Sequence, residues 1–110
     1  MENKALRIAL IHATPLAMAP VAQAFEQLWP QARLAHLLDD SLSADLAAAG
    51  SLTPSLTGRM VDLARYARAQ GAAGILYTCS AFGPAIEEAA ADVGIPTLKP
   101  NEAMIEEARP

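Results

Sequence analysis

Ala73-Gly74-Ile75-Leu76-Tyr77-Thr78-Cys79-Ser80-Ala81-Phe82-Gly83-Pro84 decides the fold. Ala73 to Thr78 reads as a strand, and it runs straight into a helix that the sequence predicts from about Pro84 to Val93. Ile86, Ala90 and Val93 share one face of that helix, and Gly94 supplies its C-terminal stop. Outward from this unit the same alternation repeats. Upstream lies the clearest helix, with Thr53 as N-cap and Pro54 at the first helical position. Leu56, Met60, Leu63 and Ala67 form its apolar stripe, Arg59, Arg65 and Arg68 read as a solvated face, and Gly71 closes it. Before it, Leu42 to Ala49 is an Ala-rich helix ended by Gly50, and Asp39 and Asp40 read as its caps. Arg33 to Leu38 reads as a strand. Val21, Phe25 and Leu28 mark a helix with Pro20 in its first turn and Pro30 as its stop. Ala5 to Ile11 is a nearly continuous apolar run, the pattern of a strand buried on both faces. Downstream, Ile95 to Lys99 predicts a fourth strand and Pro100 to Ala108 a last helix. Strands alternating with helices imply parallel pairing through crossovers. The expected architecture is therefore α/β, a three-layer open sheet of about four parallel strands flanked by helices.

Composition agrees with one such domain over residues 1–110. Alanine supplies 25 of the 110 residues, and small side chains suit helices packed closely on a sheet. Lys+Arg 8 against Asp+Glu 12 leaves a net charge of −4, which argues against nucleic acid as a partner, because that needs a basic face. No apolar run reaches the length of a membrane span. Lys4 and Arg7 ahead of an apolar stretch imitate a secretion signal, but His12, Thr14, Pro15 and Pro20 interrupt it and Glu2 spoils its basic start. The single cysteine points the same way, toward the reducing cytoplasm.

In an open parallel sheet, ligands bind beyond the carboxyl ends of the strands. Four segments should converge there: His12-Ala13-Thr14-Pro15, Asp39-Asp40-Ser41, Thr78-Cys79-Ser80-Ala81 and Lys99-Pro100-Asn101-Glu102. Cys79 is the first candidate. Between a buried strand and a helix N-terminus its thiol would meet free N–H groups, which lower a thiol pKa and make a thiolate available. The competing reading is a small buried hydrophobe. Thr14, Thr78 and Ser80 could donate hydrogen bonds to a carboxylate, or simply cap turns. His12 reads as a strand-end residue and, secondarily, as a base beside the thiol. Asp40 and Glu102 are further candidates at the same edge, and Lys99 could lend it positive charge. A phosphatase loop would need an arginine where Ala85 stands, and a nucleophile elbow would need glycines where Tyr77 and Ala81 stand. Cys79, His12 and His36 lack metal-ligand spacing, so no metal is expected.

The stretch Tyr77-Thr78-Cys79-Ser80-Ala81-Phe82-Gly83-Pro84-Ala85-Ile86-Glu87 resembles the first cysteine motif of the aspartate/glutamate/hydantoin racemase superfamily. Asp39-Asp40-Ser41-Leu42, Leu52-Thr53-Pro54 and Leu98-Lys99-Pro100-Asn101-Glu102-Ala103-Met104 resemble one branch of it. The resemblance implies the flavodoxin- or Rossmann-like N-terminal half of a two-lobed, cofactor-independent enzyme, with its active site between the lobes. It implies that Cys79 is the acid/base of this lobe, working at the carbon next to the carboxylate of an amino acid or related acid. It further implies that Ser80, the Ala81 N–H and Thr14 hold that carboxylate, with Pro15, Thr78 and Asn101 beside them. Relatives include arylmalonate decarboxylases, which protonate an enediolate, and maleate isomerases, which use cysteine as a nucleophile. The opposing cysteine belongs to a second lobe, so this chain reads as an isolated first lobe, a half that pairs with a second copy, or a relative that binds a carboxylate without catalysis.

Overall fold

A computed structural model describes residues 6–100. Its elements in chain order are β1 (Arg7–His12), α1 (Met18–Leu28), β2 (Arg33–Leu38), α2 (Ser41–Ala49), α3 (Pro54–Ala69), β3 (Gly74–Tyr77), α4 (Gly83–Val93) and β4 (Thr97–Leu98), with short 3-10 turns at Pro15–Ala17 and Ser80–Phe82. The sheet is four-stranded and wholly parallel, in the order β2-β1-β3-β4. The α/β three-layer expectation holds. The fourth strand is shorter than Ile95 to Lys99, because only Ile75 and Leu76 of β3 offer it partners. Apart from Pro100, the expected helix over Pro100 to Ala108 lies outside the described residues.

Alternation along the strands sorts the core into two layers. Ile8, Leu10 and Leu76 point to one face and pack with Val21, Phe25 and Trp29, so α1 covers that side. Ala9, Ile11, Ile75 and Tyr77 point to the other, against Leu42, Met60, Ala64, Ile86 and Ala89 of α2, α3 and α4. Strand β1, paired on both edges and covered on both faces, is buried at every residue after Arg7, as its nearly continuous apolar run implied.

The helix ends follow local chemistry. Thr53 Oγ1 accepts from the Leu56 N–H at 3.2 Å, and Pro54 opens α3. Gly50 and Gly94 end α2 and α4 in the left-handed region, at φ 77° and 72°. Of the two aspartates read as caps, only Asp39 does so: its Oδ1 accepts from the Ser41 N–H at 3.1 Å and from the Ser41 hydroxyl. Asp40 occupies the cap position of α2 without a side-chain bond. The arginines of α3 are also not merely solvated. Arg59 donates to Asp39 at 2.8 Å and to Asp45 at 2.7 Å, and Arg65 forms a two-pronged pair with Asp92 on α4. Arg68 donates to the Val93 carbonyl at 3.2 Å. Such exposed pairs contribute little stability each but fix how neighbouring segments meet.

The alanine bias has a structural use. Ala64, Ala67, Ala85 and Ala89 are all essentially unexposed where α3, α4 and the sheet meet, which lets backbones approach closely. Ala89→Leu should therefore cost about 1–3 kcal/mol through overpacking. Ala48→Leu, on the exposed surface of α2, should leave the urea midpoint nearly unchanged.

Candidate functional site

Strand order reverses between β1 and β3, so the connections leaving their carboxyl ends depart toward opposite faces of the sheet. A cavity of about 430 Å³ opens at that point. Ala13 and Thr14 line it from the end of β1, and Thr78, Cys79, Ser80, Ala81 and Phe82 from the end of β3. The third wall is Ser43, Leu46 and Ala47 of α2.

The structure therefore brings together Cys79, Thr14, Thr78, Ser80 and Ala81. Pro15 and Asp40, both exposed, do not line the cavity. Asn101 and Glu102 lie outside the described residues. Lys99 forms an ion pair with Glu87 of α4 rather than contributing charge here. The α2 residues were not anticipated, although Ser43, Leu46 and Ala47 recur at spacings of three and one and so share a helix face. Ser43 also ties that face to the site, its hydroxyl donating to the Ala13 carbonyl at 3.3 Å.

Cys79 is half-buried and packs against the cluster on the α2–α4 side. The expected fall in its pKa is reversed. Burial pushes the thiol up, from the ordinary 9.0 to about 11, and outweighs the opposing backbone hydrogen bond. Cys79 is thus a protonated thiol at neutral pH. The turn that follows it carries no side-chain cap, and neither does the start of α4. The first N–H groups of a helical turn have no partner within it, and Ser80 and Ala81, which carry such groups here, both line the cavity. Thr14 Oγ1 accepts from the Leu16 N–H at 3.3 Å, a long bond that a ligand can replace.

His12 does not stand beside the thiol. As the last residue of β1 it follows Leu10 in alternation and belongs to the α1 face, whereas Cys79 packs on the other. It is fully buried, with Nδ1 2.7 Å from Thr78 Oγ1 and Nε2 2.9 Å from His36 Nδ1. The His12 and His36 rings stack with centroids 5.1 Å apart and planes 21° apart. Burial, then the neighbouring His36, lower its pKa from 6.5 to about 4. Among the described residues no group of three or more His, Cys, Asp or Glu could hold a metal ion. No helix there is long and apolar enough to cross a membrane. No protein-family profile, curated protein or solved structure matches this chain.

Unfolded His12 takes up a proton near pH 6.5 and folded His12 only near 4, so stability is complete above 6.5 and declines as the pH falls toward 4. The slope should approach one proton, about 1.4 kcal/mol per pH unit. Asp39 and Asp92, held below 3.8 chiefly by side-chain hydrogen bonds from Ser41 and Arg65 respectively, contribute only at lower pH. Urea unfolding of the protein across this range should show that slope, and His12→Asn should flatten it.

Proposed function

We propose that this chain is one lobe of a cofactor-independent enzyme that moves a proton at the carbon next to a carboxylate. The observation that carries the reading is the protonated Cys79 thiol in the same cavity as Thr14, Ser80 and the uncapped N–H groups at Ser80 and Ala81. Those donors suit a carboxylate and the negative charge that grows on it as the neighbouring carbon becomes an enediolate. In this arrangement Cys79 is the acid: its S–H bond breaks, the proton joins the carbon, and the resulting thiolate is reprotonated from solvent.

Racemisation needs a second group on the opposite side of that carbon to remove the first proton. A second lobe of the same kind supplies it, either a further lobe or another copy of this chain in a two-fold pair that sets two Cys79 residues across one cleft. A decarboxylase of the arylmalonate type needs less. Loss of carbon dioxide leaves its electron pair as the enediolate, and one protonated thiol completes the reaction. The raised pKa of Cys79 favours this second reading, because it describes an acid rather than a base. A maleate-isomerase mode would require the thiolate as a nucleophile, which burial disfavours.

In deuterated solvent, aspartate, glutamate, hydantoins and arylmalonates separate the readings. Deuterium at the α-carbon of an amino acid or hydantoin supports racemisation, and carbon dioxide release with a deuterated product supports the lyase. Either activity should fall about a hundredfold or more in Cys79→Ala. Neither activity with any of these acids would sink the proposal in favour of a carboxylate-binding lobe.

A further inference from the structure

The buried histidine pair has no part in the proton transfer above, yet it ends on a residue of the cavity wall. Three side chains form one hydrogen-bonded line: His36 Nδ1 to His12 Nε2 at 2.9 Å, and His12 Nδ1 to Thr78 Oγ1 at 2.7 Å. His36 is half-buried on β2, an edge strand, so its end of the line meets solvent. Thr78 is half-buried and lines the cavity beside Cys79. The line thus joins the solvent on one side of the sheet to the crevice at its top.

A neutral imidazole donates through one nitrogen and accepts through the other, so this line has two polarities. In one, Thr78 donates to His12 Nδ1, and His12 Nε2–H donates to His36. The Thr78 oxygen can then offer the crevice only lone pairs, which repel an anion. In the other, His36 Nδ1–H donates to His12 Nε2, and His12 Nδ1–H donates to Thr78. The Thr78 proton is then free of the line. Its present acceptor is the Ile11 carbonyl at 3.4 Å, a long contact that a stronger acceptor displaces.

We propose that the His36–His12–Thr78 line positions the Thr78 hydroxyl proton and couples protonation of His36 to the crevice's preference for an anionic ligand. An imidazolium at position 36 carries hydrogen on both nitrogens, so only the second polarity survives. One proton enters from solvent at His36. His12 remains neutral with its hydrogen on Nδ1, and Thr78 keeps its hydroxyl proton but turns it to the crevice. His12 is suited to the middle position because burial keeps it uncharged. The groups around it leave that role to His36: β2 contributes His36, β3 contributes Thr78, and α1 carries one titratable side chain, the exposed Glu26. Asp39, beyond β2, is engaged by Ser41 and Arg59, and Cys79 packs on the other face. His12 and His36 are thus positioning residues that act through Thr78. The inference rests on the carboxylate reading of the cavity.

Acetate, a monoanion at about pH 6 and about pH 8 on either side of ordinary histidine titration, is the probe. Its affinity is read from amide shifts of the labelled whole chain, and long-range proton–nitrogen correlation reads the His12 tautomer. Acetate should bind about tenfold or more tighter at the lower pH, the effect of one hydrogen bond gained to a charged group. His12 should carry its hydrogen on Nδ1 under the same conditions. His36→Asn should remove the pH effect, and His36→Lys, a permanent donor, should keep the tighter binding at the higher pH. Equal affinity at both values, an undiminished pH effect in His36→Asn, or hydrogen on His12 Nε2 at the lower pH would each overturn the coupling. No acetate shift at Thr14, Ser80 or Ala81 at either pH is a different failure. It defeats the carboxylate reading itself and the coupling with it.

Discussion

The fold turns on the double pairing of β1. Its residues Ile8 to Ile11 are hydrogen-bonded in register to β2 on one side and to β3 on the other, with a helix layer over each face. That placement forces the chain leaving β1 and the chain leaving β3 to part company, and the space between them cannot be filled by either. The crevice is thus a consequence of strand order. The residues around it, Ala13 and Thr14 from one strand and Thr78 to Phe82 from the other, are those that each strand supplies at and just beyond its last ladder bond. Strand alternation then divides neighbours. Thr78 follows Leu76 and meets the histidine pair, while Cys79 follows Tyr77 and meets the α2–α4 layer.

Two effects compete at Cys79, and magnitude decides between them. A helix N-terminus stabilises a nearby negative charge by about 0.3–1 kcal/mol at the surface. That is less than the 1.36 kcal/mol of a single pKa unit. Withdrawal into an apolar layer moves a thiol upward by as much as about 3–5 units when burial is complete. Half-buried against the layer that holds Tyr77 and Phe82, Cys79 lies where burial prevails, and the free chain holds a thiol rather than a thiolate. The same balance holds Tyr77 protonated, its hydroxyl donating to the Met60 carbonyl at 2.8 Å with burial raising its pKa. A bound carboxylate would add negative charge near Cys79 and hold its proton more firmly until a carbanion is there to take it.

Much of this was legible in the sequence. The apolar run ending at Ile11, the Thr53-Pro54 helix start and the glycine stops at Gly50 and Gly94 are local signals, and each marks its element in the structure. The crevice was also legible in outline, because βα order alone brings the ends of β1 and β3 together. What escaped depends on register and on distance. His12 and His36 are 24 residues apart and meet only because β1 and β2 pair with Leu10 opposite His36. Ser43, Leu46 and Ala47 sit in a helix so rich in alanine that its apolar stripe is weak, so its buried face could not be read. The sign of the thiol shift escaped for a related reason: the turn after Cys79 is visible in the sequence, but the depth of the layer packed against the sulfur is not.

The proposed proton transfer requires that the crevice hold Cys79 as a protonated thiol. The most direct measurement is the rate of Cys79 alkylation by a neutral haloacetamide against pH, with the urea-unfolded chain as reference. The rate in the folded chain should still be climbing well beyond the ordinary thiol value of 9.0, with its midpoint near 11. A folded-state midpoint at or below that of the unfolded chain would contradict it, since Cys79 would then be a ready thiolate and not an acid.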